Sequence, residues 1–438
     1  MRILIVSYDF PPIGGVSVQR VLSLVKYLPD HGFDVQVLTA RNAASPVFDY
    51  GLLQQIPPSV RVHRVFTPEI SYRLKTKLWA ALSSGANAGS QDATESVKQR
   101  PGAWKSRLAA AAKTIFSPDP HIVWTPFALR RARRIVQRDG IDVVLVTAPP
   151  FSAFLIGNTL KREFPRLKLV TDFRDEWVRY ILKDFDFFQG GAAQKRAVVI
   201  ERETVEMSDL VLAVTGSSIA QLRQRYPEQR ADKFAVVPNG YDPAVFENFR
   251  PRRHAGDKIV VTYVGTVYSV CSPRYYLDAL DDLPPEIRDD FELILVGRVV
   301  EEERKYLDSR KSWIRVLGFL PQAEAFRHME ETDYLLLTVV NDFCIAGKLF
   351  EYLRAGKPIM AITPPGGETG RTISETAGGW SVDPGDRDGI RELLCRIHRE
   401  MRSGVNTFAP KGEKIQAFER SRLAARIAAL IQEVAHPR

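Results

Sequence analysis

Residues 2–25 read RILIVSYDFPPIGGVSVQRVLSLV. The opening run, Arg2–Ser7, is almost continuously apolar, as in a strand buried on both faces of a parallel sheet. A Pro/Gly turn follows, Asp9-Phe10-Pro11-Pro12-Ile13-Gly14-Gly15. Val18, Val21, Leu22 and Val25 then recur at the spacing of one helical face. Strand, tight turn and helix make half of a β-α-β unit, and the same order repeats down the chain. Strand patterns lie at Val35–Leu38, Val60–Val65, Val143–Thr147, Leu167–Thr171, Leu210–Val214 and Phe234–Val237, with a helix from about Ser152 to Glu163. Short buried strands alternating with helices predict a doubly wound parallel α/β sheet.

The pattern pauses at Val237-Pro238-Asn239-Gly240-Tyr241-Asp242, a turn signal, and a polar stretch, Glu247–Lys258. It restarts with strands at Ile259–Val264, Phe291–Val296, Arg315–Leu317, Tyr334–Val339 and Pro358–Ile362. The organisation predicted is a first α/β domain over 1–240, a second over 245–410, and a last helix within 415–438. That helix, Ile415–Val434, is amphipathic and needs an apolar partner. Residues 81–103, rich in Ala, Ser and Gly, predict a flexible loop inside the first domain.

Hydrophobic residues make up 45% of the 438 and charged residues 26%, which excludes a largely disordered, collagen-like or coiled-coil chain. The longest apolar stretch, Val143–Gly157, is broken by Pro149-Pro150 and too short to span a bilayer. The N-terminal run reads as a strand and not as a signal peptide. Cys271, Cys344 and Cys395 form no CxxC, so a reducing, cytoplasmic setting is expected. Charge is uneven. Residues 1–240 carry 33 Lys and Arg against 22 Asp and Glu, and the remainder 28 against 30. Within 70–117, Arg73, Lys75, Lys77, Lys98, Arg100, Lys105, Arg107 and Lys113 face two acids. Beside Leu74, Leu78, Trp79, Trp104 and Leu108 they predict peripheral binding to an anionic membrane; a phosphate-bearing substrate and a plain solvated surface are the alternatives. Nucleic acid is not expected, because the basic stretch lacks interleaved aromatics.

Three clusters can carry chemistry. Gly14-Gly15, between first strand and first helix, lets backbone approach a ligand, though a tight turn alone would use it too. It is not the full GxGxxG fingerprint. Asp172-Phe173-Arg174-Asp175-Glu176-Trp177 lies just past a predicted strand end, where open α/β sheets bind ligands. Arg174 can donate several hydrogen bonds to an anion or a sugar hydroxyl, or merely tie the loop down. Lys348 should open a helix, where an ammonium conflicts with the positive helix end unless an anion is held by both. Glu351 stands one turn on and could accept hydroxyl hydrogens; an ordinary i,i+3 ion pair is the alternative. Walker A, HExxH and GxSxG patterns are absent, and no metal set is predicted.

Taken together, Val237-Pro238-Asn239-Gly240, Tyr263-Val264-Gly265-Thr266, Leu317-Gly318-Phe319-Leu320-Pro321 and the run Lys348 to Pro358 resemble the retaining glycosyltransferases of the family-4 type. The stretch from Ala148-Pro149-Pro150 to Trp177 resembles their bacterial surface-polysaccharide branch. The resemblance implies the GT-B fold, two facing Rossmann-like domains. The first would serve the acceptor and the second the nucleotide sugar, with the last helix returning to the first. It implies transfer of a sugar from a nucleotide-diphosphate donor to a glycan or polyprenyl-linked acceptor, without metal or other cofactor, at the inner face of the cytoplasmic membrane. Arg174, Asp175 and Lys348 would be catalytic. Gly14, Gly15, Thr266, Arg298, Phe319, Lys348, Leu349 and Glu351 would bind the donor. Where the family often places a first acid, with seven residues between it and the second at Glu351, this chain has Phe343, with Asp342 one residue out of register. Two other classes suit the same architecture: a nucleotide-sugar 2-epimerase, using Arg174, Asp175 and Glu176, or a non-catalytic partner of another transferase.

Overall fold

The computed structural model describes residues 1–45, 47–68, 117–178, 191–310 and 313–436. The loop expected at 81–103 and the eight basic residues of the 70–117 segment lie outside the described residues. The chain divides into two units. Unit 1 is Met1–Val214, Ser218–Val237 and Ala424–Arg438; unit 2 is Thr215–Ser217 and Pro238–Leu423.

Unit 1 is built on β1 (Arg2–Val6), β2 (Asp34–Ala40), β3 (Arg61–Val65), β4 (Val143–Ala148), β5 (Lys168–Phe173), β6 (Leu210–Ala213) and β7 (Phe234–Val236). Their order is β3-β2-β1-β4-β5-β6-β7, and every pairing is parallel. All six residues of β4 are buried, as a strand covered on both faces requires. The order reverses between β1 and β4. At such a switch point the loops leaving neighbouring strands diverge and open a crevice beyond their carboxyl ends. Gly14-Gly15 and Pro149-Pro150 are carried by the two loops concerned.

Unit 2 repeats the plan with β8 (Ile259–Val264), β9 (Phe291–Val296), β10 (Ile314–Gly318), β11 (Tyr334–Thr338), β12 (Ile359–Ile362) and β13 (Gly379–Val382). The order is β10-β9-β8-β11-β12-β13, again parallel, with its switch point between β8 and β11. Gly265 follows β8, Gly297 follows β9 and Gly318 ends β10, all in the left-handed region at φ 135°, 140° and 76°. The constraint is steric as well as torsional. A Cβ on Gly297 would lie 2.1 Å from the Gly265 carbonyl oxygen. Among the described residues no helix is long and apolar enough to cross a membrane.

The structure departs from the sequence reading in three places. Strand β5 runs on to Phe173, because the Phe173 ring packs 4.5 Å from Phe154 and Asp172 finds a buried cationic partner. Asp172 and Phe173 are thus strand residues and not loop residues. The helix expected over Ile415–Val434 is two, Gly412–Gln416 and Arg420–Ala435. Between them the backbone pairs with Tyr241, whose N–H donates to the Phe418 carbonyl and whose carbonyl accepts from Arg420. Gly240 makes that approach possible, since a Cβ there would lie 2.1 Å from the Phe418 oxygen. Strand β13 was not anticipated: GWSV is short and half-buried throughout.

Candidate active site

The helix Lys348–Ala355 in unit 2 forms because Leu349, Phe350, Tyr352 and Leu353 bury one broad face; Gly356, at φ 68°, stops it. Lys348 is its first residue, and Gly347 before it supplies no side-chain cap. The Lys348 ammonium lies 3.6 Å from the centre of the Tyr263 ring. It also overhangs Gly265, where a Cβ would come within 2.8 Å of Nζ. Part of the side chain reaches solvent, yet dense surroundings pull its pKa down to about 8, against Cys271 and Glu351, which favour the charged form. One turn on, burial raises the Glu351 carboxyl, opposed by Arg420 and then Lys348. Among the described residues neither the Lys348 ammonium nor the Glu351 carboxylate has a hydrogen bond or ion pair.

The neighbouring strand ends complete this corner of unit 2. The Tyr352 hydroxyl accepts from the Val264 N–H at 2.7 Å, and the Tyr263 hydroxyl donates to the Thr266 carbonyl at 2.9 Å. Those bonds fix the turn after β8 and leave Thr266 exposed. Arg298, beyond β9, is exposed, and Phe319, beyond β10, is 68% exposed. Leu349 does not fit the role implied for it. Its side chain is fully buried in the core, and its N–H donates to the Ala346 carbonyl at 3.0 Å. Phe343 is also buried, while Asp342 is exposed. Lys357, late in the same motif, is structural: it donates to the Thr332 and Arg252 carbonyls.

In unit 1, Gly14 is buried and its N–H donates to the Val47 carbonyl at 3.1 Å. Gly15 is exposed, at φ 99°, and caps the helix Val16–Tyr27. Arg20, one turn into that helix, makes a bidentate pair with Asp172 at 2.9 and 2.8 Å, and the Thr147 hydroxyl donates to the same carboxylate at 2.9 Å. Arg20 is 7% exposed and Asp172 1%. Arg174 lies beside this pair. Its Nε donates to the Ala148 carbonyl at 3.3 Å, and its two terminal nitrogens donate to Ser17 and Pro149 carbonyls. Burial lowers its pKa, opposed by Asp172, Asp175 and Asp9. Asp175 is exposed on one side, yet the surrounding protein raises its carboxyl, partly offset by Arg174. The guanidinium therefore ties the start of the first helix to the chain where it leaves β4, at Ala148-Pro149. Arg174→Lys keeps the charge and loses the planar fork. It is expected to lower stability by about 1–3 kcal/mol through the orphaned carbonyls, measured as a fall in the denaturant midpoint.

Residues 14–240, just over half of the chain, match the glycosyl transferase 4-like domain. The chain belongs to that family. A curated family relative, the probable glycosyltransferase WbjE of Pseudomonas aeruginosa, is 30% identical over 111 residues, spanning 24% of this chain and 28% of that protein. Among solved structures, Anabaena Alr3699/HepE in complex with UDP and glucose is 16% identical with a TM-score of 0.63, covering 99% of this chain and 100% of that one. The lipopolysaccharide outer core galactosyltransferase WaaB, in its apo form, is 13% identical with a TM-score of 0.59, covering 99% of each chain. These likenesses establish the fold, which is GT-B.

The family motifs did not point to Arg20 or Thr147. The available signal was Asp172, an acid inside an otherwise apolar strand, Lys168–Phe173, which had to find a buried partner.

Proposed function

We propose that the protein transfers a sugar from a nucleoside-diphosphate sugar to a glycan or polyprenyl-linked acceptor in surface-polysaccharide synthesis. Retention of configuration is taken from the family resemblance. The observation that carries the reading is the Lys348–Glu351 pair, two charged ends with no hydrogen bond or ion pair among the described residues, on one helical turn beside the glycines that follow β8 and β9. A diphosphate would neutralise Lys348 and the helix start together, and a ribose would give its hydroxyl hydrogens to Glu351. Thr266 would flank the diphosphate, and Arg298 and Phe319 the base. The complex of Alr3699/HepE with UDP and glucose supports this donor class.

Catalysis would then be electrostatic. As the glycosidic bond breaks, negative charge grows on the departing diphosphate, and Lys348 stands ready to meet it without rearranging. In unit 1, Gly15 would offer exposed backbone to a ligand, Gly14 would hold that turn through the Val47 carbonyl, and Arg174 with Asp175 would shape the acceptor side. A polyprenyl carrier would bring the protein to the inner face of the cytoplasmic membrane, with the 70–117 segment as one point of attachment.

Glu351→Ala tests the donor site. Losing a charged hydrogen-bond partner costs about 1.5–3 kcal/mol, so the nucleoside diphosphate should bind about ten- to a hundredfold more weakly by calorimetry. Binding equal to that of the parent would remove Glu351 from the donor site.

A further inference from the structure

The helix Thr125–Asp139 presents a second feature that the donor site does not use. Ala128, Ala132, Ile135 and Val136 are buried beneath it. The opposite face carries Phe127, Arg130, Arg131, Arg134 and Arg138, at spacings of three, four, seven and eleven residues from Phe127. All five are exposed, and no acid interrupts the row. Asp139 follows it, paired with Arg61 at 3.4 Å and more loosely with Arg138 at 4.0 Å. Arg130 and Arg134 have no hydrogen-bond or ion partner among the described residues. Among the described residues Arg131 reaches the His63 ring, at 3.0 Å, and burial with Arg131 itself lowers the pKa of that histidine, which favours its neutral form, so no carboxylate faces Arg131 there.

At the start of the row, Phe127 meets Phe66, which follows the edge strand β3. The ring centroids are 6.1 Å apart, edge to face, and the residues are 45% and 52% exposed. A merely solvated helix face mixes both signs of charge. Here a row of arginines about 12 Å long ends in an exposed aromatic pair. Guanidinium groups suit phosphate, and aromatic rings suit the boundary between headgroups and acyl chains. No aromatic alternates with the arginines, as base stacking along a nucleic acid would require.

We propose that this face docks the protein on an anionic phospholipid surface, with Arg130, Arg131, Arg134 and Arg138 on the headgroup phosphates and Phe66 with Phe127 at the interface. The assignment is separate from the donor site and from the 70–117 segment. The test uses the full chain and sedimentation with vesicles of phosphatidylglycerol mixed with phosphatidylcholine, and of phosphatidylcholine alone, at low and high salt. The parent should bind the anionic vesicles, lose them as salt rises, and leave the neutral ones alone. Arg130→Ala with Arg134→Ala removes two charges from exposed helical positions where alanine is well tolerated. It should lower the partition coefficient about thirtyfold, since each basic residue near such a surface is worth about 1 kcal/mol. Phe66→Ser with Phe127→Ser should weaken binding at high salt more, in proportion, than at low salt. Circular dichroism checks that the variants are folded. Equal binding by parent and double-arginine variant overturns the proposal. So does a parent that ignores anionic vesicles yet binds transfer RNA, which would make the face a nucleic-acid surface. Calorimetry with a nucleoside diphosphate gives the separate readout of the transferase reading: the arginine variant should match the parent, and a parent that binds no nucleotide overturns that reading alone.

Discussion

Lys348→Ala should lower turnover about a hundred- to a thousandfold, the range for removing one preorganised group that meets transition-state charge. Nucleoside diphosphate affinity should fall far less. The diphosphate is already anionic when bound, but its charge grows most as the glycosidic bond breaks, so Lys348 contributes more to the chemical step than to binding. The local fold is not at risk, because alanine suits a first helical position better than a lysine does. Single-turnover kinetics with the intact donor, paired with calorimetry of the diphosphate, separates the two quantities. Equal losses in both would make Lys348 a binding group only.

The same residue sets a pH dependence. Its pKa is lowered to about 8 in the free protein, so near that pH a large fraction of molecules carry the neutral amine. A bound diphosphate favours the ammonium. Binding should therefore take up a proton at pH 8, seen as a dependence of the apparent enthalpy on buffer, and affinity should weaken as pH rises further. For stability the sign is opposite. Between about 8 and the usual lysine value near 10.5, the unfolded chain holds more protons at this position than the folded one. The contribution of Lys348 to stability therefore improves as pH rises through that window.

The second large effect concerns folding. Arg20→Ala should cost about 3–5 kcal/mol, because Asp172 would be left charged and 1% exposed with only the Thr147 hydroxyl on its carboxylate. Denaturant unfolding measures it. Arg20→Met with Asp172→Leu removes both charges and should recover most of the loss, since two apolar side chains need no ionic partner. If the double variant is as unstable as the single one, the pair shapes the local backbone and does more than neutralise itself.

Most of the strand positions follow from local patterning, because buried parallel strands are short β-branched runs whose turns carry Gly or Pro. Ile259–Val264 and Phe291–Val296 could be read to the residue for that reason. Lys348 was also legible, as a cation misplaced at a helix start. Long-range partnerships were not. The engagement of Arg174 depends on Ser17 and Pro149 carbonyls that no periodicity brings to mind. The apolar spacing of Ile415, Phe418 and Leu423 hides a break, because the Tyr241 backbone pairs with the chain at Phe418–Arg420 and interrupts the helix there. Leu349 lies inside the motif that carries Lys348 but serves the core, since helical geometry turns it away from that neighbour.

Unit 1 takes its final piece, Ala424–Arg438, from beyond the whole of unit 2. Ala424, Ile427, Ala428 and Ile431 are buried there, and the Gln432 side chain donates to the His31 carbonyl at 3.3 Å. On the ribosome the seven-stranded sheet is therefore translated early, but its covering is completed only after every residue of unit 2 has emerged. During that interval the surface destined for Ile427 and Ile431 is unclothed. Nascent chains stalled before residue 424 should accordingly be more open to protease and chaperone than released ones, and residues 1–240 produced alone should gain solubility when a peptide of 424–438 is supplied in trans.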